Sequence, residues 1–271
     1  MVSYPLNFRN KIICGDCIEE MRNLPSNIID LAFADPPYNL KKDYGLYADS
    51  NSPSDYLEWT EKWLFEIIRL LKPEGSFYLL NLPKWTIHHA VFLDQFLYRQ
   101  NTIAWDALST PRGKIMPAHY SLLYYTKSKL NYTYNQLMSK HNWSHCAREK
   151  CIEERKTSSL SEEPFSDIWT NIYRVKHRGK RHEQHPTQLP LAFMERIILT
   201  SSNEGNLIFD PFLGVGTTAI AAKLLQRDYL GIEINPEYVK ESFKNLRSST
   251  LLRSRFEFQN QRLSVLDNFL K

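Results

Sequence analysis

From residue 11 onward, short apolar runs alternate with longer stretches in which apolar residues recur at helical spacing. Lys11-Ile12-Ile13-Cys14 predicts a strand, and Cys17 to Leu24 a short helix stopped by Pro25. Ile28-Ile29-Asp30-Leu31-Ala32-Phe33-Ala34 predicts a buried strand. Residues 39–53 are polar and predict a loop. Residues 54–71 predict an amphipathic helix capped by Ser54, and Lys72-Pro73-Glu74-Gly75 a turn. Strands follow at 76–80, 102–107 and 119–126, with a helix at 85–97. After an irregular stretch come a helix at 188–201, a strand at 206–209, a helix at 217–226, a strand at 229–234 and a helix from Pro236. Strands alternating with helices predict an α/β domain on a mostly parallel sheet. The 271 residues, 42% of them hydrophobic, suffice for one such core.

The rhythm breaks over 127–182, which is rich in charge, Asn, Ser and His and reads as an inserted region. The chain thus divides into 1–126, the insertion 127–182, and 183–271, which completes the first half's domain. Charge sharpens this division. The whole chain carries a net charge of +4, yet residues 112–182 hold 14 Lys/Arg against 6 Asp/Glu. A basic segment on a near-neutral core suits a polyanion-facing surface, and equally a solvated insertion without a partner. Neither a leader pattern nor a membrane-length apolar run is present, so a soluble, cytoplasmic protein is expected. Cys14-Gly15-Asp16-Cys17 has redox or zinc spacing, but its cysteines end a strand and begin a helix. Cys146 and Cys151, near His141 and His145, leave a zinc site open, but no second ligand pair completes it and no metal is assigned.

Two segments carry chemistry. Asp35-Pro36-Pro37-Tyr38 follows the strand at 28–34. Two prolines cannot continue a central strand, so the chain leaves the sheet as a stiff loop. That loop offers a carboxylate, exposed carbonyls and an aromatic face, a set suited to a flat ring bearing an amine, at a strand end where α/β sheets bind ligands. The second segment is Asp210-Pro211-Phe212-Leu213-Gly214-Val215-Gly216-Thr217-Thr218, between a strand and a helix. Its glycines permit a tight turn and close ligand approach, and Glu233, at the next strand end, is placed to hold ribose hydroxyls. Gly214 to Ala219 also satisfies the dinucleotide fingerprint, so an NAD-dependent oxidoreductase is a rival reading. Against it stand Asp210 and Pro211, which suit a cationic amino-acid ligand better than a pyrophosphate, and the short chain remaining after this unit.

With both motifs in this order, the chain resembles the permuted, β-class amino-methyltransferases that act on DNA. His185-Pro186-Thr187-Gln188-Leu189-Pro190 resembles that family's His-Pro-Thr-Gln-Lys-Pro segment, with Leu189 in place of Lys. Gly15-Asp16-Cys17 resembles its Gly-Asp-Cys segment, and Asp167-Ile168-Trp169 its Asp-x-Trp segment. The resemblance implies a seven-stranded sheet with one reversed strand and helices on both faces. It implies S-adenosyl-L-methionine as cofactor, double-stranded DNA as substrate, a cognate restriction endonuclease as a companion, and either a monomer or a homodimer.

By the same resemblance, Asp35 and the Pro36 carbonyl accept the two N–H bonds of the target amine, and Tyr38 stacks on the flipped base. Asp16, Cys17, Asp35, Asp210, Pro211, Phe212, Gly214, Gly216, Thr217, Thr218 and Glu233 are the expected cofactor residues. His185, Thr187 and Gln188 join them, although Thr187 and Gln188 serve equally well as caps of the next helix. Arg112, Lys114, Arg174, Lys176, Arg178, Lys180 and Arg181 are expected on DNA phosphates, which position a protein without reading sequence. Aspartate at position 35 favours adenine N6, and cytosine N4 is the alternative. RNA or protein methylation and a non-catalytic DNA-binding subunit are the remaining readings.

Overall fold

The structure, a computed structural model, describes residues 8–40, 50–106, 118–139, 163–170, 172 and 189–259, with 139, 163–164 and 249–259 by backbone alone. In chain order the elements are β1 (Lys11–Cys14), α1 (Cys17–Arg22), β2 (Ile29–Ala34), α2 (Pro53–Leu70), β3 (Leu71–Asn81), α3 (Pro83–Leu93), β4 (Tyr98–Asp106) and β5 (His119–Thr126). Then come β6 (Met138–Ser139), β7 (Glu163–Pro164), β8 (Ile168–Trp169), α4 (Leu191–Ser201), β9 (Leu207–Asp210), α5 (Thr217–Leu224), β10 (Asp228–Glu233) and α6 (Pro236–Gln259).

Among the described residues eight strands form one sheet in the order β1-β10-β9-β2-β3-β5-β4-β8, in which β5 alone runs against its neighbours. Helices cover both faces. On one side Met21 of α1, Trp63, Ile67 and Leu70 of α2, and Leu93 of α3 pack with Ala32, Phe77 and Phe209. On the other, Phe193 and Ile197 of α4 and Ile220 of α5 pack with Leu31, Phe33 and Tyr78. Successive β2 residues thus serve opposite faces, and burial on both sides explains its unbroken apolar run. Helix α2 buries Tyr56, Thr60, Trp63, Leu64, Ile67 and Leu70, one face at helical spacing. Among the described residues no helix is long and apolar enough to cross a membrane.

The structure corrects several expectations. Ser52, not Ser54, caps α2, its hydroxyl accepting from the Asp55 amide at 3.2 Å with Pro53 in the first turn. Residues 72–75 are not a separate turn but part of β3, beside a register shift against Ile29–Leu31 that accommodates Pro73. The sheet has eight strands rather than seven. The extra strand, β8, has two residues and pairs parallel with β4 through Ala104 with Ile168 and Trp105 with Trp169.

Such a strand has no periodicity to read, and packing holds it. Buried Trp169 lies edge-on to Phe193 at 5.4 Å, and the Trp105 indole donates to the Ile172 carbonyl at 2.9 Å. Leu137 is also buried, and the Asn135 amide donates to the Leu199 and Ser202 carbonyls at 2.9 and 3.0 Å. Within 127–182, β8 is therefore bound into the main sheet and Asn135 to the end of α4, while β6 and β7 pair as a separate two-stranded sheet.

Phe193 is fully buried and contacts Phe33, Trp105 and Trp169 together. Phe193→Ala is expected to lower unfolding free energy by about 3–5 kcal/mol. Urea unfolding of the purified chain measures this, and near-UV dichroism should report loosening of Trp105 and Trp169.

Candidate active site

Strands β1, β10, β9 and β2 lie side by side and run parallel, so their carboxyl ends emerge along one edge. The chain turns outward in opposite directions from the β9–β2 pair, towards β10 on one side and β3 on the other. This is the switch point at which open α/β sheets form a crevice. A cleft of about 1090 Å³, its mouth included, opens over these ends. It gathers Asp16 and Cys17 after β1, Asp35, Pro36 and Tyr38 after β2, and Glu233 from β10. The segment from the end of β9 contributes Asp210, Pro211, Phe212 and Gly214, followed by Thr217 and Thr218 at the start of α5.

The Asp35–Tyr38 loop is held by its carbonyls. Its prolines have no N–H to donate, so neighbours supply the donors. The Tyr56 hydroxyl donates to the Pro37 carbonyl at 2.8 Å, and the Trp85 indole to the Tyr38 carbonyl at 2.9 Å. No hydrogen bond among the described residues ends on the Pro36 carbonyl. The Tyr38 hydroxyl donates to an Asp35 carboxylate oxygen, and its ring tilts against Tyr120 with centroids 5.7 Å apart.

The Gly-rich segment is organised by the two acids that bracket it. Asp210 accepts from the Phe212 amide at 2.9 Å and from the Thr218 hydroxyl at 2.5 Å. Glu233 accepts from the Gly214 amide and, through its other oxygen, from the Asn235 amide, both at 2.8 Å. Gly214 lines the cleft, but Gly216 stands behind it, contrary to expectation. Gly216 has φ of +93°, and a Cβ there would lie 2.9 Å from Ser242 Cβ, so it serves the close approach of α6. Asp16 lines the cleft and also caps α1, accepting from the Ile18 and Glu19 amides at 2.9 and 3.1 Å.

Charge in the cleft is crowded and negative. Burial pushes the Asp210 carboxyl up to about 7; nearby Asp35 and Glu233 push the same way, against the Thr218 and Phe212 hydrogen bonds. Burial also raises Glu233. Three carboxylates at neighbouring strand ends favour a cation between them. Burial pushes the Cys17 thiol pKa far up, which disfavours a thiolate there. Among the described residues no His, Cys, Asp and Glu cluster could hold a metal ion.

His185, Thr187 and Gln188 lie outside the described residues, as do Arg112, Lys114, Arg174, Lys176, Arg178, Lys180 and Arg181, and His141, His145, Cys146 and Cys151. The cleft also contains Trp59 of α2 and Tyr238 of α6, which sequence reasoning missed. Trp59 falls in a helical apolar pattern, where it reads as core. Its ring lies 5.8 Å from that of Phe212, so it walls the cleft only because α2 packs over the β9 loop. Tyr238 lies in the first turn of α6, five residues after Glu233, and carries no signal of its own.

The DNA methylase family model, that of the N6/N4 methyltransferases, matches residues 29–244. The type II methyltransferase M.BamHI of Bacillus amyloliquefaciens is 37% identical over 93% of this chain, and the chain spans 61% of that protein's length. M.HpaI of Haemophilus parainfluenzae is 35% identical over 88% of this chain and 74% of its own length. DNA adenine methyltransferase YhdJ of Escherichia coli K12 is 31% identical, over 89% and 85% respectively. Among solved structures, a putative DNA modification methylase of Thermus thermophilus shares the fold with a TM-score of 0.63 and 21% identity, over 89% of this chain and 95% of that one. PvuII DNA methyltransferase, a cytosine-N4 enzyme, gives 0.63 and 17% identity, over 86% and 85%. Two acid-proline segments on adjacent strand ends, in the order this sheet imposes, are thus accompanied by a match over most of the chain, and the protein belongs to the N6/N4 DNA methylase family.

Proposed function

We propose that this chain transfers the methyl group of S-adenosyl-L-methionine to the exocyclic N6 amine of an adenine flipped out of double-stranded DNA. One observation carries the reading: Asp35 and an open Pro36 carbonyl stand at the end of β2, beside the acid-lined, Gly-rich cleft at the end of β9. The donor set fits this cofactor. A sulfonium and an amino group are cations, and Asp35, Asp210 and Glu233 crowd the cleft with negative charge. The same charge disfavours the rival dinucleotide, whose pyrophosphate would meet three carboxylates. Asp210 and Glu233 would hold the cofactor's polar groups, against apolar walls from Phe212, Val215 and Ile234. When bound it supplies an electrophilic methyl group on a positively charged sulfur. Asp16, Cys17, His185, Thr187 and Gln188 belong to the same proposal as further contacts.

The amine of adenine is a poor nucleophile, because its lone pair is delocalised into the ring. Asp35 accepts one of its N–H bonds and the Pro36 carbonyl the other. Two acceptors fit the tetrahedral nitrogen of the transition state better than the planar ground state, so they stabilise the former selectively. The Tyr38 hydroxyl engages one Asp35 carboxylate oxygen, the carboxylate has further lone pairs for the amine, and Tyr38 offers its ring to the base. Asp35 is also the acceptor placed for the proton that the nitrogen sheds. Arg112, Lys114 and the cluster from Arg174 to Arg181 are proposed to hold phosphates. A cognate restriction endonuclease is proposed from the relatives named type II methyltransferases. Cytosine N4 is the second reading, favoured by the likeness to a cytosine-N4 enzyme, whereas aspartate at position 35 and the likeness to YhdJ favour adenine.

Asp35→Ala should bind DNA normally while methyl transfer falls at least on the order of 100-fold. Transfer of labelled methyl groups measures this, and near-normal turnover would refute the mechanism. Digestion of the methylated DNA to nucleosides should yield N6-methyladenine; N4-methylcytosine alone would move the substrate to cytosine.

The Asp210 carboxyl, raised to about 7, gives a pH signature. An acid raised on folding contributes stability that is fully present below its unfolded pKa and lost as pH rises through about 7. Affinity for a cation runs oppositely, because the ionised form binds. Cofactor affinity should therefore rise by up to about tenfold per pH unit between pH ~5.5 and ~7. Calorimetric titration of the cofactor should show this step in the native protein and its loss in Asp210→Asn.

A further inference from the structure

We infer that Tyr56 is a positioning residue for methyl transfer, aiming the Pro36 carbonyl at the target amine through a buried hydrogen-bond relay from Asn81. The inference rests on the methyl-transfer reading above. Tyr56 and Asn81 are both fully buried, Tyr56 on α2 and Asn81 at the end of β3. The Asn81 amide oxygen accepts from the Leu82 N–H at 2.7 Å, which fixes the amide's orientation. Its NH₂ group then donates to the Tyr56 oxygen at 3.0 Å. His89 Nε2 lies 3.5 Å from the same Asn81 nitrogen, and burial lowers the His89 pKa to about 3, so the ring is neutral and adds no charge to the relay. With its oxygen taken as an acceptor by Asn81, the phenol directs its single proton to the Pro37 carbonyl, 2.8 Å away. The Tyr56 ring is held in turn by Trp85, with centroids 4.6 Å apart, and Trp85 is the donor to the Tyr38 carbonyl.

The relay's effect follows from proline geometry. The pyrrolidine ring locks φ of Pro37. Only ψ of Pro37 then separates the carbonyl that Tyr56 grips from the Pro36 carbonyl that faces the reaction. Two of three successive carbonyls are thus tied to the scaffold, and the proposed acceptor is the one left over. Tyr56 touches neither base nor cofactor in this scheme; it acts on the reaction by fixing an acceptor's direction, to which transfer rates are steeply sensitive.

Two substitutions test this in different ways. Tyr56→Phe removes the hydroxyl alone. Asn81→Asp keeps the shape but turns the relay around, because a carboxylate accepts the phenol proton and draws it away from Pro37. Single-turnover rates report on folded enzyme irrespective of any loss of stability, which thermal melts would follow separately. Each variant should slow single-turnover methyl transfer by roughly 10- to 100-fold, with cofactor KM and DNA dissociation constant within about twofold of native. The double variant should be no slower than either single one, since both cut the same relay. Native single-turnover rates in Tyr56→Phe, with Asp35→Ala inactive, would overturn the assignment and leave the methyl-transfer reading intact. Loss confined to cofactor or DNA affinity would also overturn it. Turnover in Asp35→Ala would remove the reading on which it stands.

Discussion

Parallel pairing of β9 with β2 brings the two chemically loaded segments of the chain together. Leu31 and Ala32 register with Ile208 and Phe209, so the acid after one strand and the acid ending the other emerge side by side, although 175 positions apart in number. The crossovers on either side depart in opposite directions and open the crevice. If this register moved by one residue, side chains fitted to one helical layer would face the other, and both cores would be lost with the site. The two-sided apolar packing that stabilises the domain is therefore the same device that aligns Asp35 with Asp210.

Electrostatics in the cleft is the counterpart of that geometry. Neighbouring strand ends bring Asp210, Glu233 and Asp35 together, and burial opposes ionisation of Asp210 and Glu233. Backbone amides of Phe212, Gly214 and Asn235 offset part of that cost while shaping the Gly-rich turn. The acids consequently do two things: they hold the loop, and they present a field that suits a cationic ligand. Rigidity in the loop after β2 comes from elsewhere, since its prolines donate nothing; it is imposed by Tyr56 and Trp85 on the packed helices.

How much of this was readable depends on the kind of signal. The long strands and helices were legible because burial on a sheet face or helix stripe repeats with a fixed period. The motifs at Asp35–Tyr38 and Asp210–Thr218 were legible because proline and glycine leave few backbone options. β8 was not, because two residues have no period and Trp169 is fixed by packing on Phe193 and by pairing with Trp105 across the chain. Gly216 was legible as a glycine but not in its purpose, which depends on α6 packing against it through Ser242.

The sequence by itself determined the α/β class, the strand-end positions of Asp35, Asp210 and Glu233, and the chemistry that acid, proline, glycine and aromatic residues can offer there. These follow from local rules of pattern and backbone freedom. Only the tertiary structure decided that Trp59 walls the cleft, that the Tyr38 hydroxyl sits on Asp35, and that Tyr56 and Trp85 leave the Pro36 carbonyl open. Each of those contacts joins segments whose meeting is set by packing of the whole core, which no local pattern encodes.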